Sequence, residues 1–225
     1  MQDEILKHTE KIYKTVKSPK HSIGEKVKEI LIEIFIIVFA VTLSIWLHSW
    51  SEHNHQRTEA REFLRDIRAD VTNDLESMKA KKASLDSVLK SGIRMLDTLK
   101  ANTTKNITMN FSLTTFKAND GNYQGFKSSG KIGFIENKEL KKQILSYYEN
   151  ELTGLYDVDK YQYTKQLEVW ELINTLDAKK MITDASFRAK LTVDLQITEA
   201  LIKSYNEVIN TATSINAAIN KEIGE

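Results

Sequence analysis

A chain of 225 residues with 41% apolar side chains is long enough for one ordinary domain plus an appendage. One proline and eight glycines point to helices, and the lack of cysteine excludes thiol catalysis, disulfides and thiolate metal sites. All five histidines (His8, His21, His48, His53, His55) lie near the start, so the rest of the chain lacks the commonest general base and imidazole ligand. Lys plus Arg (32) nearly balance Asp plus Glu (31), unlike the basic footprint of a nucleic-acid binder.

Residues 1–29 form an N-terminal segment. Residues 30–50, ILIEIFIIVFAVTLSIWLHSW, are uncharged from Ile34 to Leu47. A helix of that length spans roughly 30 Å, the thickness of a bilayer core, so the segment is read as a transmembrane helix. Trp46 and Trp50 suit the lipid boundary, and the following LHSWSEHNHQ has no convincing signal-peptidase site, so the helix is expected to stay as an anchor. Six lysines in residues 10–29 against four arginines in residues 51–70 favour a cytoplasmic N-terminus and a periplasmic body. The expected location is the inner membrane, crossed once.

One side of this helix carries Glu33, Ile37, Ala40, Ser44 and His48. Ala40 and Ser44 make a small-xxx-small pair that lets helices approach closely in lipid, and Glu33 suits a paired intramembrane acid. Glu33, Ala40, Ser44 and His48 are therefore a candidate association face. The plainer alternative puts Glu33 at headgroup level, reaching for water. His48, Glu52 and His55 also share a helical face with metal-site spacing, but nothing supplies a fourth ligand or a pocket, and a wet interfacial cluster is the expectation.

Residues 51–225 form the body, with interspersed charges of the kind found on solvated helix faces. From 51 to 100 an apolar stripe runs through Leu64, Ile67, Val71, Leu75, Met78, Leu85 and Leu89 to Leu99. This is an amphipathic helix continuous with the anchor. Its stripe is interrupted at Lys81 and Lys82, where looser packing or a solvent-filled gap is expected opposite. Residues 101–136 are irregular. Within them NITMNFSLTTF alternates like a strand that has nothing visible to pair with, and Asn102, Asn106 and Asn110 open N-x-[ST] triplets.

GFKSSGKI, residues 125–132, approaches a phosphate-binding loop, with Gly125, Gly130 and Lys131 in place. Ile132 stands where the Mg²⁺-holding hydroxyl belongs, and no strand precedes it. The reading adopted is a short helix from Tyr123 to Ser129 capped by a left-handed Gly130, with Ile132, Phe134 and Ile135 plugging the bundle. Residues 137–178 form a helix with Asn137 as N-cap, and residues 184–223 form the last one. Three long striped helices can hide their stripes only against one another. Of the tyrosines along the second helix, Tyr148 and Tyr156 with Trp170 are a candidate ligand groove, although such a series is more often core.

Two segments resemble a known group. EIFIIVFAVTLSIWLHSWSE, from Glu33 to Glu52, and NYQGFKSSGKIGFIENKELKKQILSYYE are similar to the anchor and central block of uncharacterised single-pass membrane proteins abundant in Bacteroidota. Glu33, Trp50 and Glu52 fall in that pattern's register. Ile32, Ala40, His48 and Ser49 depart from it, and the histidines thus lie outside the resemblance. The resemblance implies the architecture and no activity.

The sequence therefore predicts an all-α protein: a transmembrane helix continuing into an antiparallel bundle of three long helices, with an irregular, partly helical middle. The expected role is non-enzymatic and cofactor-free. It works through a homo-oligomer or a membrane protein partner in the lipid bilayer, without nucleic acid. The alternative is an extracytoplasmic domain that senses a small-molecule ligand.

Overall fold

The structure, a computed structural model, describes residues 2–17, 23–103 and 107–224. Among these every regular element is helical, as the sequence predicts. The helices are α1 (Gln2–Lys17), α2 (Ile23–Lys100), α3 (Gly121–Ser128), α4 (Lys138–Ser146), α5 (Leu152–Thr175), α6 (Ala178–Thr183) and α7 (Ala185–Ile223). The chain divides into two compact units, residues 1–58 and 59–225, the division falling inside α2.

In the first unit α2 exposes Phe35, Val38, Phe39, Ile45, Trp46 and Trp50. A helix this apolar all round has no polar side to give to water. Among the described residues it is the one helix long and apolar enough to cross a membrane.

The body is built by α2 from Glu59 onward, α4, α5 and α7. Arg68 donates to Asn220, Asn216 to Thr72, and Gln162 to Thr198. As numbers rise along α2 and α5 their partners on α7 fall, so α7 runs antiparallel to both. By contrast Lys81 pairs with Asp159, and Met95 and Leu99 share a cluster with Val169, so α2 and α5 point the same way. Two parallel neighbours need a long return connection, and residues 101–137 supply it.

The return path is traced by its bonds to α2. Asn110 meets Ser87 and Ser91, Ser112 and Thr114 meet Lys81, Asn119 meets Asp74, Asn122 meets Asp70, and Lys131 meets Glu59. Residues 107–120 descend extended along the bundle, and α3 completes the descent. An extended residue advances about 3.3 Å against about 1.5 Å in a helix, so few residues are needed for this part of the return. The body is thus an up-down-up-down arrangement whose second member is a strap followed by a short helix.

Punctuation follows the sequence. Asn137, Asp177 and Asp184 cap α4, α6 and α7 by accepting from Leu140, Lys180 and Phe187 amides. Gly130 takes φ +75°, the left-handed conformation expected at the end of the short helix, and Ile135 is buried behind it. Asn102 takes φ 51° just beyond α2. Asn106 lies outside the described residues. The helix expected over 137–178 is interrupted by a wider turn, Tyr147–Glu151, and ends at Thr175. In a regular helix neighbours diverge by about 100°, yet both Tyr147 and Tyr148 are buried here.

Candidate functional site

Two apolar clusters fill the body. The larger gathers Ile67, Val71, Met78, Ile144, Leu155 and Tyr205, and the smaller gathers Met95, Leu99, Val169, Phe187, Leu191 and Leu195. Along α5 and α7 the interval between them is polar: Asp159, Gln162, Gln166, Asp194 and Thr198 are fully buried. On α5 these residues recur at three and four, so one helical face that should be apolar carries an acid and two amides.

Most of this layer holds the strap. The Ser112 amide donates to Gln166 at 2.8 Å and the Phe116 amide to Asp159 at 2.6 Å. Lys81 Nζ donates to the Ser112 hydroxyl at 3.1 Å and to the Thr114 carbonyl, and lies 3.5 Å from the Asp159 carboxylate. Further down, the Asn119 amide donates to Asp74 at 3.0 Å. An extended segment without a neighbouring strand must find donors and acceptors elsewhere, and helix side chains provide them. Lys81 is therefore buried in the bundle, and the strap occupies the position where a gap was expected. Lys82 pairs with Asp86. Burial pushes the Lys81 ammonium down from its usual range, and the Asp159 charge opposes that shift.

Asp194 differs. Its carboxyl is buried, and desolvation pushes its pKa up to about 7, offset in part by the Gln162 amide. Gln162 Nε2 also donates to Thr198 at 3.2 Å.

The candidate groove residues are only partly brought together. Tyr148 and Tyr156 line a cleft of about 230 Å³ with Phe116, Lys117, Asp120 and Leu152. Trp170 is not among the lining residues, and both it and Tyr156 are exposed, which corrects their reading as core. Tyr148 stacks on Tyr123 at 4.3 Å between centroids, and Tyr123 donates to Glu149 at 2.7 Å. Through these contacts α3 docks on the wide turn.

The loop GFKSSGKI faces carboxylates. Gly125, Ser129 and Lys131 border a cleft with Glu59, Glu62 and Asp66, and Lys131 pairs with Glu59 at 2.8 Å. Such a surface repels phosphate. On the apolar stretch of α2, Glu33 is buried and its carboxylate lies 3.4 Å from Lys11 of α1, while Ala40 and His48 are exposed and Ser44 is half-buried. Glu52 accepts from Gln56. No group of three or more His, Asp or Glu able to hold a metal comes together among the described residues.

The buried layer escaped sequence reasoning, although a trace of it was there. The apolar stripe lapses between Tyr156 and Leu167, the interval that holds Asp159, Gln162 and Gln166. These features define an all-α bundle with a polar middle layer and an apolar N-terminal helix. The chain matches the DUF6090 family, a family of unknown function, over residues 33–197, and belongs to it. The matched span begins at Glu33 and includes Lys81, Asp159 and Asp194. No curated protein and no solved structure matches the chain.

Proposed function

We propose that the protein is a single-pass membrane protein whose helical body works through protein contacts, without catalysis. One observation carries this reading: the apolar side chains from Ile34 to Leu47 are uncovered, whereas Lys81, Asp159 and Gln166 are engaged with the protein's own backbone. An anchored body of this kind acts by what it holds. The lysine excess before the anchor favours a cytoplasmic N-terminus and a periplasmic body at the inner membrane. The Ala40 and Ser44 side of the helix is the proposed face for a second copy or another membrane helix.

The test has two parts. Carbonate washing should leave the chain in the membrane, and cross-linking in native membranes should trap a second copy or a defined partner. A chain that stays strictly monomeric and partnerless would remove the contact role. A reporter fused to the C-terminus reads the orientation.

A second reading, ligand sensing, is favoured by the aromatic cleft at Tyr148 and Tyr156. Its about 230 Å³ falls below the roughly 300–1,000 Å³ of common ligand pockets, so the ligand that fits it is a small one. Thermal shift against small metabolites measures this, since a ligand of the folded state raises the melting temperature. A shift abolished by Tyr156→Ala supports sensing.

A further inference from the structure

We propose that the cleft bordered by Tyr148 and Tyr156 binds a small organic ammonium ion. This rests on the ligand-sensing reading and names the class of ligand. The first observation is the make-up of the walls. Phe116 and Tyr148 are buried and form the floor of the cleft, while Tyr156 is 44% exposed and stands at its side. Leu152 and Ala118 extend the apolar lining. The face of an aromatic ring carries negative charge density, and quaternary ammonium groups are the ligands that such walls take best.

The second observation is the charge around those walls. Asp120 borders the cleft, and Asp74 and Asp70 approach from α2. Each of these carboxylates meets a neutral amide: Asp120 accepts from Gln124 at 3.3 Å, Asp74 from Asn119 at 2.7 Å and Asp70 from Asn122 at 2.9 Å. Their charges also reach one another. Burial above all pushes the Asp74 carboxyl up, the Asn119 hydrogen bonds oppose it, and Asp70 and Asp120 push it further. The field converges on Tyr148, whose hydroxyl is buried and has no hydrogen-bond partner among the described residues. Burial, then Tyr147, then the charges of Asp74, Asp70 and Asp120 raise its pKa above the usual tyrosine range, so the potential at this ring is negative. Lys117 is the one cation among the lining residues, and it is exposed, with a long stem that can carry its ammonium into water. A cation gains from both the rings and the carboxylates, whereas an anion gains from neither.

The test uses the full chain in a maltoside detergent, which has no ammonium head group to compete. Three probes share one shape and differ in charge: choline, its neutral isostere dimethylbutanol and the anion dimethylbutyrate. Ligand-detected NMR titration gives a dissociation constant for each. The expected order of affinity is choline, then dimethylbutanol, then dimethylbutyrate. Tyr156→Ala and Asp120→Asn, both at exposed positions, should each weaken choline about two- to fivefold, and Lys117→Gln should tighten it. Dimethylbutyrate binding best, or Lys117→Gln weakening choline, would overturn the ammonium class and leave ligand sensing standing. Equal affinity for all three probes would reduce the cleft to an apolar pocket and overturn it as well. Binding by none of them would also overturn this inference, whereas sensing itself falls only if thermal shifts dependent on Tyr156 are absent with other metabolites too.

Discussion

Helix α2 carries two stretches that solve opposite problems with the same backbone. From Ile34 to Leu47 every side is apolar and large side chains stand exposed, whereas from Phe63 to Leu99 the apolar residues keep to one stripe and are buried. Backbone hydrogen bonding is equivalent in both stretches, so the side-chain pattern alone assigns the solvent. The first stretch calls for a solvent as apolar as itself, and the second makes its own by packing on α5 and α7.

The most disruptive way to break that comparison is to make the first stretch resemble the second. Val38→Arg with Phe39→Arg adds roughly 5–7 kcal/mol to insertion at the bilayer centre. The chain should then be released by carbonate while far-UV circular dichroism stays helical. Retention in the membrane would mean that something other than apolar transfer holds it.

In the body, the buried Lys81–Asp159 pair is the counterpart, a charge tolerated because it is bonded. Lys81→Met leaves Asp159 and two strap acceptors without their cation and should cost about 3–5 kcal/mol in detergent unfolding experiments. Coupling with Asp159→Asn should be non-additive, because the two share one network. Strict additivity would mean that the strap is held by other contacts.

Asp194 sharpens the comparison through pH. Its folded pKa, raised to about 7 from 3.8, means the folded body prefers the protonated acid. The associated stability is fully present below about pH 4 and is lost as pH rises through about 7, on the order of 4 kcal/mol in all. Asp74, raised in the same direction by burial, adds to the same trend. Unfolding midpoints should therefore fall between pH 5 and pH 8, and Asp194→Asn should flatten the slope. A slope that Asp194→Asn leaves unchanged would assign it to other groups.

The smallest effects are expected at the caps. Asn137→Ala and Asp184→Ala should each cost about 1 kcal/mol, read as a lower denaturation midpoint with the anchor unaffected. A loss several times larger at Asn137 would point to its bond with Glu222, which joins α4 to the end of α7.

Much of the architecture was legible because it depends on neighbours in sequence. The long apolar stretch of α2, the stripes of α2 and α7, the Asn137 cap and the left-handed Gly130 each follow from residues within a few positions of one another. The near-miss phosphate loop was legible for the same reason, since Ile132 alone removes the Mg²⁺ ligand. The candidate groove was half legible. Tyr148 and Tyr156 border one cleft, but Trp170 lies beyond it because the fourteen residues of α5 that follow Tyr156 carry the chain about 21 Å further along.

Lys81 was legible only as an interruption. In sequence a lysine in an apolar stripe reads as a defect, and nothing nearby announces that Ser112 and Thr114 will meet it from more than thirty residues away.

What the sequence alone determined is where helices start and stop, and which stretch is apolar on every side, because capping and periodicity are local quantities. Tertiary structure alone decided that α2 and α5 run parallel, that residues 107–120 descend as a strap, and that Asp194 is buried. A polar side chain enters a core only when distant backbone or side-chain groups offer it bonds, and those partners exist only once the chain has closed on itself.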